Sequence, residues 1–232
     1  LESDYPEDAR SLFAIALLEW RQGNSDVAVT KLDKLFTIEA FHKRGTLLLT
    51  EILSQADDPD AFDPLLKAIE ATNSSLLRYQ YARYLLGKQK LTEAKAQFDV
   101  LIADPAATVD HLIGAAVLDI ELSDSASALL HLDRALSFGQ RENDAQFFKA
   151  LALIQLNDVS GALKALGAVG PSTNYARALQ EAAAILVSQG EIGAANAFFE
   201  AHRKVHTDGA ELNFALHAET LQTLGSIEVE SV

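Results

Sequence analysis

The 232-residue chain is predicted to be all-α, an array of about six helix–turn–helix repeats followed by one closing helix. Three observations predict this class. Alanine recurs at Ala28, Ala61, Ala94, Ala128, Ala162 and Ala195, with gaps of 33, 33, 34, 34 and 33 residues. Four residues after each alanine stands a large apolar residue: Leu32, Leu65, Phe98, Leu132, Leu166 and Phe199. Twelve residues before each stands Ala16, Leu49, Ala82, Ala116, Ala150 or Ala183. A period near 34 residues marks stacked supersecondary units rather than one compact core.

Seven residues after each alanine come Leu35, Ala68, Leu101, Ala135, Val169 and His202. Apolar residues at i, i+4 and i+7 form one face of a helix, the second of each repeat. The residue twelve earlier lies in the first helix, where a small side chain lets two backbones approach. Only Leu49 in the small slot and His202 in the last slot depart from the pattern.

The elements follow in order. Asp4-Tyr5-Pro6-Glu7-Asp8 reads as a helix entry, with Asp4 or Tyr5 before a proline in the first turn and acids that suit the helix dipole. Repeat one covers residues 9–41 and turns at Gln22-Gly23-Asn24-Ser25. Repeat two, 42–74, turns at Asp57-Asp58-Pro59-Asp60. Repeat three, 75–108, turns at Gly87-Lys88-Gln89-Lys90 and closes near Asp104-Pro105. Repeat four, 109–142, turns at Ser123-Asp124-Ser125 and closes near Gly139. Repeat five, 143–175, turns at Asn157-Asp158 and closes near Gly170-Pro171. Repeat six, 176–209, turns at Gln189-Gly190-Glu191 and closes at Asp208-Gly209. Residues 210–224 read as an amphipathic capping helix, because the last repeat would otherwise expose its apolar face. Residues 225–232 carry no continued pattern and are expected to fray.

The pattern resembles the tetratricopeptide repeat, a family of helix–turn–helix solenoids. Gly23 and Gly190 fall at that family's turn glycine, five residues before the alanine. Gln89-Lys90-Leu91-Thr92-Glu93-Ala94, followed by Phe98 and Leu101, is the nearest match. The resemblance covers about residues 9–209 and implies a right-handed α-solenoid that works as a protein–protein interaction module.

Composition bounds the function. The net charge is −14 and 49% of residues are hydrophobic, too apolar a chain to be disordered. Nineteen basic residues face 33 acidic ones, so phosphate neutralisation is poorly served and nucleic-acid binding is not expected. Adhesion to anionic membranes is disfavoured on the same ground. No apolar run approaches the roughly 20 residues that span a bilayer, so no transmembrane segment is expected. Cysteine is absent, which removes disulfides and thiolate metal sites and fits cytosol and periplasm alike. Methionine is absent too, so the chain is expected to be a fragment, a processed protein or a trimmed one.

No residues converge on a catalytic spacing, and neither enzyme activity nor a cofactor is expected. His202 and His206 share a helical face at i, i+4, which suits a metal, but no third ligand is near and His202 fills an apolar slot. No metal is assigned. His42, His111, His131 and His217 stand apart. Gly167 and Gly170 lack the context of a phosphate loop. Asn73-Ser74-Ser75 is a glycosylation sequon without a secretory context, and Asp57, Asp58 and Asp60 lack a calcium loop's closing glutamate.

In the family resembled, the first helices line a concave surface where ligands bind, and one subgroup grips a C-terminal carboxylate through lysine and asparagine. The equivalent slots, fifteen and eleven before the alanine, hold Phe13 and Leu17, Thr46 and Thr50, Tyr79 and Arg83, Ile113 and Val117, Phe147 and Leu151, and Gln180 and Ala184. No repeat supplies the lysine–asparagine pair, so a carboxylate clamp is not expected. The slot eight before the alanine adds Trp20, Leu53, Leu86, Ile120, Ile154 and Val187. The expected groove is therefore apolar: Phe13, Leu17, Trp20, Leu53, Tyr79, Leu86, Ile113, Val117, Ile120, Phe147, Leu151 and Ile154. Arg83, with Arg78 and Tyr79, adds a basic–aromatic cluster that either meets an acidic partner group or, the favoured reading, lays its Arg stems over apolar surface with the heads in water. The alternative reading is that the stripe is core between repeats.

The leading expectation is a non-catalytic scaffold or adaptor that holds a protein or peptide segment. A regulatory domain of a larger enzyme, secretion or envelope-assembly protein is the second class, and a self-assembling homo-oligomeric array the third. The joint Val169-Gly170-Pro171-Ser172-Thr173-Asn174-Tyr175-Ala176 also resembles repeat lipoproteins and adaptors of Gram-negative envelopes. That second resemblance implies a bacterial protein and favours the periplasm over the cytoplasm.

Overall fold

In the computed structural model, residues 8–56, 58 and 60–230 are described, with side chains as far as Gly225. Every regular element among them is an α-helix: α1 (Ala9–Arg21), α2 (Ser25–Ile38), α3 (Lys43–Gln55), α4 (Asp63–Thr72), α5 (Ser75–Gly87), α6 (Leu91–Ala103), α7 (Val109–Glu121), α8 (Ser125–Leu136), α9 (Glu142–Gln155), α10 (Val159–Gly167), α11 (Tyr175–Gln189), α12 (Ile192–Val205) and α13 (Ala210–Glu230). The chain forms two compact units, one ending at Gln89 and one starting at Lys90. The first holds α1–α5 and the second α6–α13.

Short polar side chains start the helices by accepting from otherwise unpaired backbone N–H groups. Asp8 caps α1, its Oδ1 accepting from Ser11 N at 2.7 Å. Asp124 and Asp158 do the same for α8 and α10 at 3.2 and 2.9 Å. Thr108 and His111 form a reciprocal capping box on α7. The entry expected at residues 4–7 lies outside the described residues.

The turns inside the repeats share a backbone device. The residue five before the ladder alanine has positive φ in five repeats: Gly23 (86°), Gln89 (59°), Ser123 (60°), Asn157 (59°) and Gly190 (72°). The chain reverses there within two or three residues, and a left-handed residue makes that reversal. Repeat two departs from this. Its α3 ends at Gln55 and α4 begins only at Asp63, with Pro64 in the first turn. Ala61 therefore precedes its helix, yet it is still buried.

The ladder is the core. All six alanines are buried, as are the six residues at +4 and the six at +7, His202 included. In the first unit Ala16, Ala28, Leu32, Leu48 and Ile52 form one cluster, and Leu65, Ala68, Ile69 and Leu77 another. In the second unit Leu112, Ala116, Ala128, Leu132 and Ala152 join α7, α8 and α9. Ala150, Leu166, Val169, Ala178 and Ala182 join α9, α10 and α11. The last cluster contains Leu179, Leu186, Phe199 and Leu224, so α13 closes the array over α11 and α12. That helix continues to Glu230, beyond the end expected at residue 224.

Candidate functional site

The stripe residues divide into surface and core. In the first unit Phe13, Leu17 and Trp20 on α1 are half-buried over the α1–α2–α3 cluster. Arg44 of α3 lies 4.6 Å above the Phe13 ring. Leu53 on α3 and Tyr79 and Leu86 on α5 are half-buried, while Arg83 is exposed with its guanidinium carbon 5.9 Å from the Tyr79 ring. Arg78 turns to Asn73 Oδ1 at 3.2 Å. In the second unit Val117 and Ile120 on α7, and Leu151 and Ile154 on α9, are half-buried.

Two residues of the expected stripe are core instead. Phe147 has no exposed surface and Ile113 only 5%. The cause is the packing of successive first helices, α7 on α9 and α9 towards α11. Ala150, Ala178 and Ala182 leave room for the Phe147 ring, and Arg177 covers it at 5.1 Å. Neither residue presents a surface to a ligand.

A groove opens instead where the sequence stripe stops. Gln180, Ala183, Ala184 and Val187 of α11 face Leu216, Glu219, Thr220 and Thr223 of α13 across a cavity of about 270 Å³. Gln180, Ala184 and Val187 occupy the stripe's repeat slots, fifteen, eleven and eight before Ala195, and Ala183 the small slot twelve before it. The small side chains of Ala183 and Ala184 leave the space unfilled. The floor is aliphatic and the rim carries one carboxylate, one amide and two hydroxyls, the makeup of a site for an apolar side chain with a polar flank. The signal was in the sequence, as small residues in groove slots.

Two clusters of ionisable groups in the second unit are committed to packing. Asp119 on α7 is 1% exposed and accepts from Lys95 Nζ of α6 at 2.6 Å, while its other oxygen meets His131 Nδ1 of α8 at 2.9 Å. Burial opposes ionisation of Asp119, but the hydrogen bonds from His131 and Lys95 outweigh it and hold the carboxyl below its ordinary value. A second cluster joins α12 and α13. His202 Nε2 meets Val169 O at 3.1 Å and its Nδ1 meets Asn213 Nδ2 at 3.1 Å. Arg203 Nη1 donates to Asn213 Oδ1 at 2.7 Å and lies 3.1 Å from His217 Nδ1. His217 Nε2 completes the chain at Asn196 Oδ1, 2.9 Å away. His202 thus spends both nitrogens inside the protein, although its ring lies 4.6 Å from that of His206. Among the described residues no group of three or more His, Asp or Glu side chains is placed to hold a metal ion, and no helix is long and apolar enough to cross a membrane.

No family sequence model and no curated protein matches the chain. Solved structures do. PilW, a widely conserved type IV pilus biogenesis factor, matches with a TM-score of 0.60 at 16% identity, over 90% of this chain and 98% of that one. Pseudomonas aeruginosa PilF matches at 0.59 and 15%, over 91% and 97%. A tetratricopeptide repeat protein from Parabacteroides merdae matches at 0.60 and 14%, over 96% and 88%. Thirteen helices among the described residues, a buried alanine every 33 or 34 residues and these likenesses agree: the chain has the tetratricopeptide-repeat fold, a helical solenoid.

Proposed function

We propose that this protein is a non-catalytic interaction scaffold that binds an apolar-anchored segment of a protein partner along its first-helix faces. The observation that carries the reading is the α11–α13 cavity, an aliphatic floor of Ala183, Ala184, Val187 and Leu216 with Gln180 and Glu219 at the rim. A preformed cavity between packed helices loses little entropy on binding. An aliphatic side chain of the partner fills it, and polar groups at the rim fix the backbone beside it. Val117, Ile120, Leu151 and Ile154 extend the apolar face within the second unit. In the first unit Phe13, Leu17, Trp20, Leu53, Tyr79 and Leu86 offer a face of the same kind, with Arg83 at its border. Ile113 and Phe147 are not part of this proposal. The fold supports the reading, since a solved structure of similar fold is the Cut9–Hcn1 hetero-tetramer, a protein complex.

The test is partner capture by the full chain and two variants. Ala184→Trp fills the cavity, and Trp20→Ala removes the largest side chain of the first-unit face. Each is expected to lose co-purifying protein while keeping wild-type helicity by circular dichroism. Equal recovery by the wild type and both variants would sink the proposal.

A further inference from the structure

The hydrogen-bonded part of the α12–α13 contact is made by groups whose pairing requires neutral histidine. His202 Nε2–H donates to the Val169 carbonyl, so its Nδ1 is the lone-pair nitrogen, and the Asn213 amide N–H donates to it. Asn213 cannot turn over to offer its oxygen, because that oxygen already accepts from Arg203 at 2.7 Å. His217 is fixed in the same way. Its Nε2–H donates to Asn196 Oδ1, and its Nδ1 accepts from the Arg203 guanidinium. On each ring the only nitrogen able to take a proton is faced by a donor. Protonation therefore sets N–H against N–H₂ at one site and imidazolium against guanidinium at the other.

We propose that α13 is an acid-releasable cap, docked on α11 and α12 while His202 and His217 are both neutral and displaced as they protonate. The surroundings of the two rings agree. Facing His202 are Tyr175 from α11, whose ring lies 5.6 Å away, and His206 and Arg203 from α12. Facing His217 are Arg203 and Glu200 from α12. Burial is the largest influence on each ring and disfavours the charged form. The Val169 carbonyl opposes it at His202 and Glu200 opposes it at His217, but the Arg203 charge works with burial at both, and His202 and His217 are held below the ordinary histidine value.

The direction follows from linkage. The docked form resists protons that the released form binds near the free histidine pKa of about 6.5, so docking is lost as pH falls below that value. A histidine held fully neutral contributes at most a factor of about ten between pH 7.5 and 5.5, so with two the release equilibrium shifts by at most about 100-fold. His111, in the capping box of α7, is likewise held below the ordinary histidine value by burial, but most of the remaining chain responds oppositely. A net charge of −14 and a pI near 4.7 mean that the same acidification relieves self-repulsion elsewhere. The signature is a local loss under conditions that favour the remainder. Because α13 is one wall of the α11–α13 cavity, release also removes that cavity. This consequence rests on the proposed function, whereas the release itself does not.

Hydrogen exchange on the full chain at pH 7.5 and 5.5, corrected for intrinsic rates, tests the proposal. Amides of residues 210–224 are expected to lose up to about 100-fold in protection while α9 keeps its own. Unchanged protection in α13, or an equal loss in α9, overturns it. Imidazole titration by NMR gives a second reading on the wild type: His202 or His217 titrating at or above 6.5 overturns the proposal. His202→Gln/His217→Gln cannot titrate there and is expected to flatten the pH response of α13. A response that persists in the variant also overturns it.

Discussion

Replacing Lys95 and His131 together, while leaving Asp119 in place, isolates the cost of a buried carboxylate without partners. Asp119 is 1% exposed, whereas its partners are 33% and 19% exposed and can turn towards water. The asymmetry sets the order of the effects. In Asp119→Asn two partly exposed donors lose a charged acceptor but gain water, and the amide keeps the shape. The expected cost is about 1–3 kcal/mol. In Lys95→Met/His131→Phe the carboxylate has no route to water, and breaking a buried pair in this way costs about 3–5 kcal/mol. Protonation caps the penalty. Neutralising a carboxyl of ordinary pKa 3.8 at pH 7 costs about 4 kcal/mol. Urea unfolding followed by circular dichroism at pH 7, with unchanged m-values, measures both. The variants also differ in pH response. The wild-type Asp119 has a lowered pKa, so its contribution is present above 3.8 and is lost as pH falls through the native value. The orphaned carboxylate has the opposite sign, and that variant gains stability relative to wild type as pH falls from 7 towards 4. An Asp119→Asn cost equal to or above that of the double variant would refute the reasoning.

Three further outcomes are expected. Ser123→Gly relieves a left-handed residue (φ 60°) and raises stability by about 0.5–1 kcal/mol, read as a higher urea midpoint. Gly114→Ala places a Cβ 2.5 Å from Phe98 Cε1 of a buried ring and lowers stability by about 1–3 kcal/mol, read as a lower urea midpoint. Phe147→Ala costs about 3–5 kcal/mol of stability, and partner capture by the folded fraction is unchanged, because the ring is core and not groove.

The parts of the fold that were legible in the sequence are those set by one repeating constraint. An alanine where two helices cross, with bulk at +4 and +7, is demanded afresh in every repeat, so its period is visible without neighbours. Gly23 and Gly190 announced the left-handed turn, but Gln89, Ser123 and Asn157 adopt the same conformation in the same slot without the residue type that signals it. Repeat two hides its irregular turn because Ala61 keeps the ladder in phase although α4 starts later. The ionic group was not legible. Lys95, Asp119 and His131 lie 24 and 12 residues apart on three helices, and only the register of α6, α7 and α8 brings them together. His202 was the intermediate case. Its slot said buried, and a buried imidazole needs two partners, but nothing in the sequence pointed to Val169 and Asn213.

The misassigned part of the candidate site has a physical cause of its own. A repeat ruler tells which side chain occupies each groove slot, and bulky apolar side chains there suggest a binding surface. A cavity is the complement of that quantity. Bulk in a slot fills space between successive first helices, as Phe147 does against Ala150, Ala178 and Ala182, and the ring that promised a contact becomes core. Where the slots carry Ala183 and Ala184, α11 and α13 leave about 270 Å³ between them. The same ladder therefore locates a pocket when it is read for volume rather than for hydrophobicity. The slots to inspect are those where a small residue on one first helix is not answered by a large one on the next. Residues 180–187 are such a place, with Leu216 the one large apolar side chain across from them, and Ala184→Trp supplies the missing bulk.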